Sequence, residues 1–233
     1  MKIYRNLTAE EIDNLTDERA IGIAFSNAEV TAYRNKGYAC ILVSKNDNAS
    51  FCADALVYDE KDLEESYIEH IYNRHYKILC DVFETERTIV REIGAENYEE
   101  LKELYSHPEV TEFLEPLFER EKEIQYQRDY YDNIYSFYDF GMWGVFDKKT
   151  GKMIGRCGID PHEYGIELGY IIDPRYQRQG LAYEVCTAII GYAKTLEIPE
   201  LIAKIDDNNM ASIGLANKLG FNHLKEDIYA LTL

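Results

Sequence analysis

The hydrophobic pattern over residues 1–83 predicts short buried strands that alternate with amphipathic helices. Three apolar runs have the length of buried strands, and they cover residues 21–25, 38–44 and 53–58. A hydroxyl or carboxylate side chain stands three residues before a glutamate at Thr8, Ser26 and Asp62, a spacing that caps helix starts. Strand, helix and strand in this order predict a small parallel α/β domain over residues 1–83.

From residue 84 onward the pattern of hydrophobic and polar positions changes. The predicted strands and helices no longer alternate regularly, and a β-hairpin is expected around a turn at residues 147–151. The predicted strands cover 85–93, 143–146, 153–159, 166–172 and 201–205, the predicted helices cover 97–105, 120–138, 181–196 and 209–219, and a short strand pair ends the sequence. This order is typical of an α+β domain, which we assign to residues 84–233.

Tyrosine is abundant, with 20 residues against one tryptophan. Five aromatic and aliphatic side chains of the predicted helix 120–138 share one stripe, which predicts core packing. The stripe consists of Ile124, Tyr131, Ile134, Tyr135 and Tyr138. Tyr126 and Tyr130 are left as candidates for lining a pocket.

The net charge of −18 makes nucleic acid an unfavourable partner, because an acidic surface repels phosphate backbones. The first residues lack the apolar segment of a signal peptide, and no apolar run reaches the ~18 residues of a membrane helix. We therefore expect a cytoplasmic protein that binds no membrane and is a monomer or a homodimer. The five cysteines are odd in number and widely spaced, which favours buried thiols over a disulfide framework or a metal site.

An apolar strand leads through a glycine-containing turn into a helix. The strand reads Ile-Glu-Leu-Gly-Tyr-Ile-Ile over 166–172, and the turn reads Gln-Arg-Gln-Gly-Leu-Ala over 177–182. The first amides of a helix have no partners within the helix, so such a turn is suited to bind an anion, and Gly180 lets a diphosphate approach the backbone closely. Neither a Walker A loop nor the glycine pattern of dinucleotide-binding folds occurs, so nucleotide hydrolysis and NAD chemistry lack their usual signatures.

A second motif follows in the helix after the next strand. Asn209 and Ser212 form an N-x-x-S pair, and Lys-Leu-Gly-Phe ends the motif at 218–221. Together with Glu-Leu-Gly-Tyr at 167–170 and the turn at 177–182, these residues resemble the GNAT superfamily of acyl-CoA-dependent N-acetyltransferases. Within it they look most like the branch of the ribosomal-protein N-terminal acetyltransferases. The resemblance covers the second domain and leaves the first one outside.

The resemblance implies a mixed, mostly antiparallel sheet in which two neighbouring strands splay apart, with acetyl-CoA as co-substrate and no metal. The turn amides would hold the CoA pyrophosphate, which implies Gln177, Arg178, Gln179, Gly180, Leu181 and Ala182. The pantetheine arm would contact the splayed strand and the following helix, which implies Tyr170, Ile171, Ile172 and Asn209. Ser212 would hydrogen-bond the leaving thiolate. Ala216 stands where many members of the family carry a tyrosine acid. Since a thiol has a pKa of about 8.5, its thiolate can leave without a strong acid.

Acetyl transfer also needs a base, because an acceptor amine is protonated at neutral pH and has to lose a proton before it attacks. Glu167, on the strand just before its splayed section, is the first candidate for this catalytic base. Asp160, His162 and Glu163 on the preceding loop are the reserve candidates. A structural role is the alternative: Glu167 can anchor a neighbouring strand, and His162 can be a solvated turn residue.

Eleven glutamates lie between Glu92 and Glu123, in the segment that walls the acceptor pocket in this fold. Such a field attracts a cation, which predicts a positively charged primary amine as acceptor: a peptide N-terminus, a polyamine or an aminoglycoside-like molecule. The alternative is that these glutamates only solvate helix faces. The predicted reaction is direct attack of the amine in a ternary complex. The rival hypothesis is a non-catalytic acyl-CoA-binding sensor whose first domain binds a partner.

Overall fold

The computed structural model describes residues 1–45 and 52–233. The chain divides into two compact units, Met1–Ile78 and Leu79–Leu233. This division falls before the boundary expected after residue 83, because a strand at Asp81–Glu84 pairs with the sheet of the second unit. That the two parts are domains with separate roles stays a prediction.

A four-stranded parallel sheet in the order β1-β2-β3-β4 forms the first unit. Its strands are β1 (Ile3–Arg5), β2 (Ile21–Ala24), β3 (Ala39–Val43) and β4 (Ala55–Val57), and its helices are α1 (Ala9–Asp13), α2 (Asn27–Asn35) and α3 (Glu65–His75). Alternate residues of a strand face opposite sides of the sheet. Accordingly Cys40 and Leu42 pack with α1 and α2 in one cluster, whereas Ala39 and Ile41 pack with α3 in another.

Two of the three expected capping positions cap helices. The Thr8 hydroxyl accepts a hydrogen bond from Glu11 N at the start of α1, and the Ser26 hydroxyl accepts one from Glu29 N at the start of α2. The third prediction is wrong, because Asp62 ends a short 3₁₀ turn, Glu60–Asp62, and α3 begins only at Glu65 without a side-chain cap.

An eight-stranded sheet in the order β11-β12-β10-β9-β8-β7-β6-β5 forms the second unit. Its strands are β5 (Asp81–Glu84), β6 (Thr88–Arg91), β7 (Met142–Asp147), β8 (Met153–His162), β9 (Gly165–Ile172), β10 (Glu200–Lys204), β11 (Asn222–Lys225) and β12 (Ile228–Thr232). Its helices are α4 (Tyr98–Tyr105), α5 (Pro108–Thr111), α6 (Arg120–Tyr130), α7 (Ser136–Tyr138), α8 (Leu181–Thr195) and α9 (Met210–Leu219). The pairing is antiparallel except between β9 and β10, so the expected mixed, mostly antiparallel sheet is confirmed.

The helical segment expected over 120–138 changes its winding in the middle. A π-helical turn, Tyr131–Tyr135, separates α6 from α7, and such a turn shifts the phase of the residues that follow. Tyr135 is fully buried, but Tyr138 is 39% exposed, so the predicted core stripe ends before Tyr138. Tyr130 is buried in the main core rather than lining an open pocket, whereas Tyr126 is 40% exposed.

Candidate functional site: an open strand edge beside a helix start

Strands β9 and β10 lie side by side but pair over a short distance only. In the part of the chain that the structure describes, their parallel ladder has two register pairs, Ile166 with Leu201 and Glu167 with Ile202. Strand β9 nevertheless continues to Ile172 and pairs with β8 along its whole length. The two strands therefore diverge after Glu167, and the edge of β9 that faces β10 is open from there to its end.

Backbone alternation identifies the residues that the open edge exposes. Asp173 N donates to Ile154 O of β8, so Asp173 directs its backbone groups toward β8. Successive residues of a strand direct these groups to alternate sides, so Ile171 also faces β8 while Tyr170 and Ile172 face the opening. The Ile172 carbonyl accepts a hydrogen bond from Gln177 Nε2 at 2.9 Å. The open edge thus presents the backbone N–H and C=O of Tyr170 and the N–H of Ile172, and not the backbone groups of Ile171.

The turn after β9 ends at a helix start without a side-chain cap. Arg178 and Gly180 have φ angles of +60° and +80°, and α8 begins at Leu181 with Gly180 in the capping position. Glycine adopts this left-handed conformation without steric cost and brings no side chain to satisfy the first helical amides. The amides of Leu181 and Ala182 therefore point, with the positive end of the helix dipole, into the space beside the turn.

A cation that sequence analysis missed braces this turn. Arg87 Nη1 donates to Gln179 O at 2.8 Å, while Arg87 N and Nε donate to the Glu184 carboxylate at 2.9 and 2.6 Å. Burial acts to raise the pKa of Glu184, but hydrogen bonds from Thr85 and Arg87 outweigh it and hold the pKa below its ordinary value. No local pattern marks Arg87, because its partners lie more than 90 residues away in the chain.

Tyr170 and Ser212 meet across the gap between β9 and α9. The Tyr170 hydroxyl donates to Ser212 Oγ at 2.9 Å, and Ser212 N donates to Asn209 Oδ1 at 3.0 Å as the cap of α9. Burial raises the pKa of Tyr170 to about 12, so the phenol stays protonated and remains a donor at neutral pH. Because Ser212 Oγ accepts from Tyr170, its own hydrogen is left for another acceptor.

The candidate bases cluster at the start of β9. Glu167 and Asp160 are register partners on β9 and β8, and His162 Nε2 lies 4.0 Å from Glu167 Oε2. Burial raises the pKa of Asp160, and the charge of Glu167 acts in the same direction, while Tyr130 and Arg156 oppose it. Glu163 is exposed in the turn between the strands and does not join this cluster.

Two further expectations concern the segment before α6 and the position of the family's tyrosine. Most of the eleven glutamates are exposed on helix faces and loops, with Glu92 and Glu123 buried. Glu123 accepts hydrogen bonds from Gln127 Nε2 and Phe118 N, which is a structural role. Ala216 is buried in the core cluster of α9 and leaves no polar group at its position.

Neither a metal-binding cluster nor a membrane-spanning helix is found within residues 1–45 and 52–233. The described chain contains no group of three or more His, Cys, Asp or Glu side chains arranged to hold a metal ion. None of its helices combines the length and the apolar composition needed to cross a bilayer.

A strand edge with free backbone groups, continued by an uncapped helix start, suits an elongated ligand that carries a diphosphate at one end. A family model described as an acetyltransferase (GNAT) domain matches residues 87–222. The N-acetyltransferase p20 of Bacillus licheniformis, itself uncharacterized, is 30% identical over 146 residues, which cover 59% of this chain and 80% of p20. The uncharacterized protein YkkB of Bacillus subtilis (strain 168) is 33% identical over 93 residues, which cover 38% of this chain and 54% of YkkB. This chain therefore spans about half the length of YkkB.

Solved structures agree with the sequence matches. A candidate ribosomal-protein-serine acetyltransferase from Vibrio cholerae superposes with a TM-score of 0.56 at 25% identity, over 64% of this chain and 96% of that one. The chain belongs to the GNAT acetyltransferase family, whose members use acetyl-CoA as co-substrate. The expected family and fold are confirmed.

Proposed function

We propose that this protein transfers an acetyl group from acetyl-CoA to a primary amine that is cationic at its reacting end. The observation that carries the proposal is the divergence of β9 from β10 toward the turn at Gly180. The open edge supplies backbone partners for a pantetheine arm, and the turn supplies amides for a pyrophosphate. We also propose a cytoplasmic location, where acetyl-CoA is available.

Local groups have to bind this anionic co-substrate, because the chain as a whole is strongly acidic. The first amides of α8 provide positive potential at the turn, and Arg87 holds the turn in place through Gln179 O while Glu184 neutralises its charge. In the proposal, Gln177 fixes the Ile172 carbonyl at the entrance of the turn, and Asn209 offers its Nδ2 to the pantetheine arm. Among the described residues, this Nδ2 has no hydrogen-bond partner.

The same residues account for the proton transfers of the reaction. Glu167 takes a proton from the acceptor ammonium, directly or through His162 or a water, so that the amine lone pair can attack the acetyl carbon. As the carbon–sulfur bond breaks, Ser212 donates a hydrogen bond to the departing sulfur. Tyr170 holds the Ser212 hydroxyl in the orientation that makes this possible. The second proton, which the nitrogen loses as the amide forms, passes through water to the thiolate, so that CoA leaves as the thiol. The attack is direct, and the enzyme carries no acetyl group between steps.

The assignment of Glu167 is tested by the pH dependence of the rate. Glu167→Gln keeps the size of the side chain and removes its basicity, so the acid limb of the kcat/KM profile should disappear and the rate should fall about 100-fold or more. His162→Gln is the matched control, and it should lower the rate less. An unchanged pH–rate profile in Glu167→Gln would remove Glu167 from the mechanism.

A non-catalytic acyl-CoA sensor is the second candidate function. The buried Ala216, at the position of the family's tyrosine, is the observation that favours it. Calorimetric titration with acetyl-CoA, followed by a thiol-release assay with a panel of amines, separates the two functions. Binding with thiol release supports the transferase, whereas binding without turnover on peptides, polyamines, aminoglycosides and amino acids supports the sensor.

A further inference from the structure

Arg156 is a buried cation without an ion-pair partner among the described residues. The residue lies on β8 and is 8% exposed, and its guanidinium makes one long hydrogen bond, from Nη1 to the Tyr105 hydroxyl at 3.5 Å. Its Nε is buried and has no hydrogen-bond partner within residues 1–45 and 52–233. A guanidinium keeps its charge in a protein, and a buried charge is ordinarily paired. The unpaired state of Arg156 therefore indicates a missing anion.

Among the described residues, no carboxylate lies within ion-pair distance of Arg156, although Asp160 is close enough for the two charges to interact. Arg156 acts to lower the pKa of Asp160 on its own strand, and the neutral phenols of Tyr105, Tyr126, Tyr130 and Tyr135 lie near it. Asp160 makes no ion pair with Arg156. The Tyr135 hydroxyl is engaged as well, because it donates to Met142 O at 2.5 Å. Tyr126 is half-exposed and lies at the solvent side of the group.

Arg156 shares its face of the sheet with the candidate bases. Along β8 and β9 the register pairs on this face are Arg156 with Ile171, Gly158 with Gly169, and Asp160 with Glu167. The middle pair carries no side chains, and Met142 lies against Gly169 there. Four residues of strand separate Arg156 from Asp160, about 13 Å between Cα atoms. This face of the sheet therefore has the Arg156 cation at one end, the carboxyl groups of Asp160 and Glu167 at the other, and an apolar surface between them.

We propose that Arg156 binds a carboxylate of the amine acceptor, so that the substrate is an amine that also carries a carboxylate, as an amino acid or an acidic peptide does. This inference rests on the proposed function, because it takes the reacting amine to lie at Glu167. A single planar guanidinium matches a carboxylate in a bidentate pair. Polyamines and aminoglycosides, which offer no anionic group, fit this face less well.

The test compares three acceptors of equal chain length, namely hexylamine, diaminohexane and aminohexanoate, and adds shorter aminoalkanoates. The readout is kcat and KM from thiol release by the full chain. In the wild type we expect the best aminoalkanoate to exceed both amines in kcat/KM by about 10-fold or more. In Arg156→Met the KM for the aminoalkanoate should rise about 10- to 100-fold while the values for hexylamine stay within about twofold.

Arg156→Lys is the matched variant, because it keeps the charge and loses the planar pair of donors. Arg156→Lys should recover part of the preference for the aminoalkanoate over hexylamine. Its folding is checked by the thermal midpoint of unfolding. A wild type that prefers diaminohexane, or an Arg156→Met variant that loses activity equally on all three acceptors, would overturn the inference.

A failure of the acetyl-transfer proposal can be distinguished from a failure of the inference about Arg156. If acetyl-CoA binds but no amine releases thiol, the transferase proposal fails, and Arg156 is then tested by binding alone. Aminohexanoate should raise the thermal midpoint of the wild type and not that of Arg156→Met. Equal shifts in the two proteins would overturn the inference without reference to catalysis.

Discussion

Gly180→Ala separates the cost of backbone strain from the loss of co-substrate binding. Gly180 has a φ of +80°, and a Cβ built on it meets Arg87 Nη2 at 3.7 Å, which is ordinary contact. The protein has room for the methyl group, so the folding cost is that of a left-handed alanine, about 1–2 kcal/mol. The smaller entropy of the unfolded alanine chain offsets about 0.4–1 kcal/mol of this cost. We expect a net loss of about 1 kcal/mol in the free energy of unfolding, measured by urea titration.

The chain offers a control with the same strain and no ligand. Gly151, in the turn between β7 and β8, has a φ of +69°, and a Cβ built there meets nothing within 4 Å. Gly151→Ala should therefore lose a similar free energy of unfolding. In calorimetry, only Gly180→Ala should weaken acetyl-CoA binding, by about 10- to 100-fold or ~1.4–2.7 kcal/mol, because the methyl group keeps the pyrophosphate from the amides.

Acetyl-pantetheine lacks the pyrophosphate and therefore tests whether the loss of affinity in Gly180→Ala depends on that group. Gly180→Ala should bind it within about twofold of the wild type. If Gly180→Ala binds acetyl-CoA as tightly as Gly151→Ala does, or weakens both ligands equally, the turn does not hold the pyrophosphate and the reasoning fails.

Three further predictions concern the hydroxyl pair, the half-buried carboxyl of Asp160 and the first unit. Tyr170→Phe should lower kcat about 10-fold, because Ser212 loses the hydrogen bond that orients its hydroxyl. The double variant Tyr170→Phe/Ser212→Ala should have nearly the same kcat as Ser212→Ala alone, and additive losses would mean that the two hydroxyls act separately. Because burial raises the pKa of Asp160 in the folded state, its contribution to stability is present below about pH 4 and is lost as the pH rises through the folded pKa. In urea titrations, the free energy of unfolding of Asp160→Asn should therefore rise relative to that of the wild type as the pH increases from 4 to 7. A difference between the two proteins that does not change with pH would contradict this. Gly22→Ala should cost about 1–3 kcal/mol in urea unfolding, because its Cβ would lie 2.3 Å from the Tyr33 ring, and a cost below about 0.5 kcal/mol would show that this ring moves aside freely.

Sequence alone predicts the parts of this site that are continuous in the chain. The strand at 166–172, the turn with Gly180 and the capped helix at Asn209 follow from local hydrophobic pattern and local backbone requirements. Only the resemblance to a family predicts that these segments form one site, because no single motif indicates which strands diverge. The residue-level roles at the site stay predictions until variants are measured.

Other features depend on contacts between distant segments. Arg87 reaches Gln179 and Glu184 through the turn between β5 and β6, and local pattern predicted one strand there instead of a hairpin. Tyr170 finds Ser212 42 residues later in the chain. Burial of Arg156 likewise results from tertiary packing, in which α4 contacts β8, since an isolated arginine on a strand is ordinarily exposed. These interactions are tertiary, and a pattern read along the chain does not contain them.

Transfer of a labelled acetyl group tests the central claim most directly. The full chain is mixed with acetyl-CoA labelled in the acetyl carbonyl, once without an amine and once with each acceptor, and the label is followed by mass spectrometry in the protein, the CoA thioester and the amine. Direct transfer predicts that the label stays in acetyl-CoA without an acceptor and appears as amide, in equal amount to the released thiol, when an accepted amine is added. Label retained on the protein, or label that never leaves the thioester with any amine, would contradict the account.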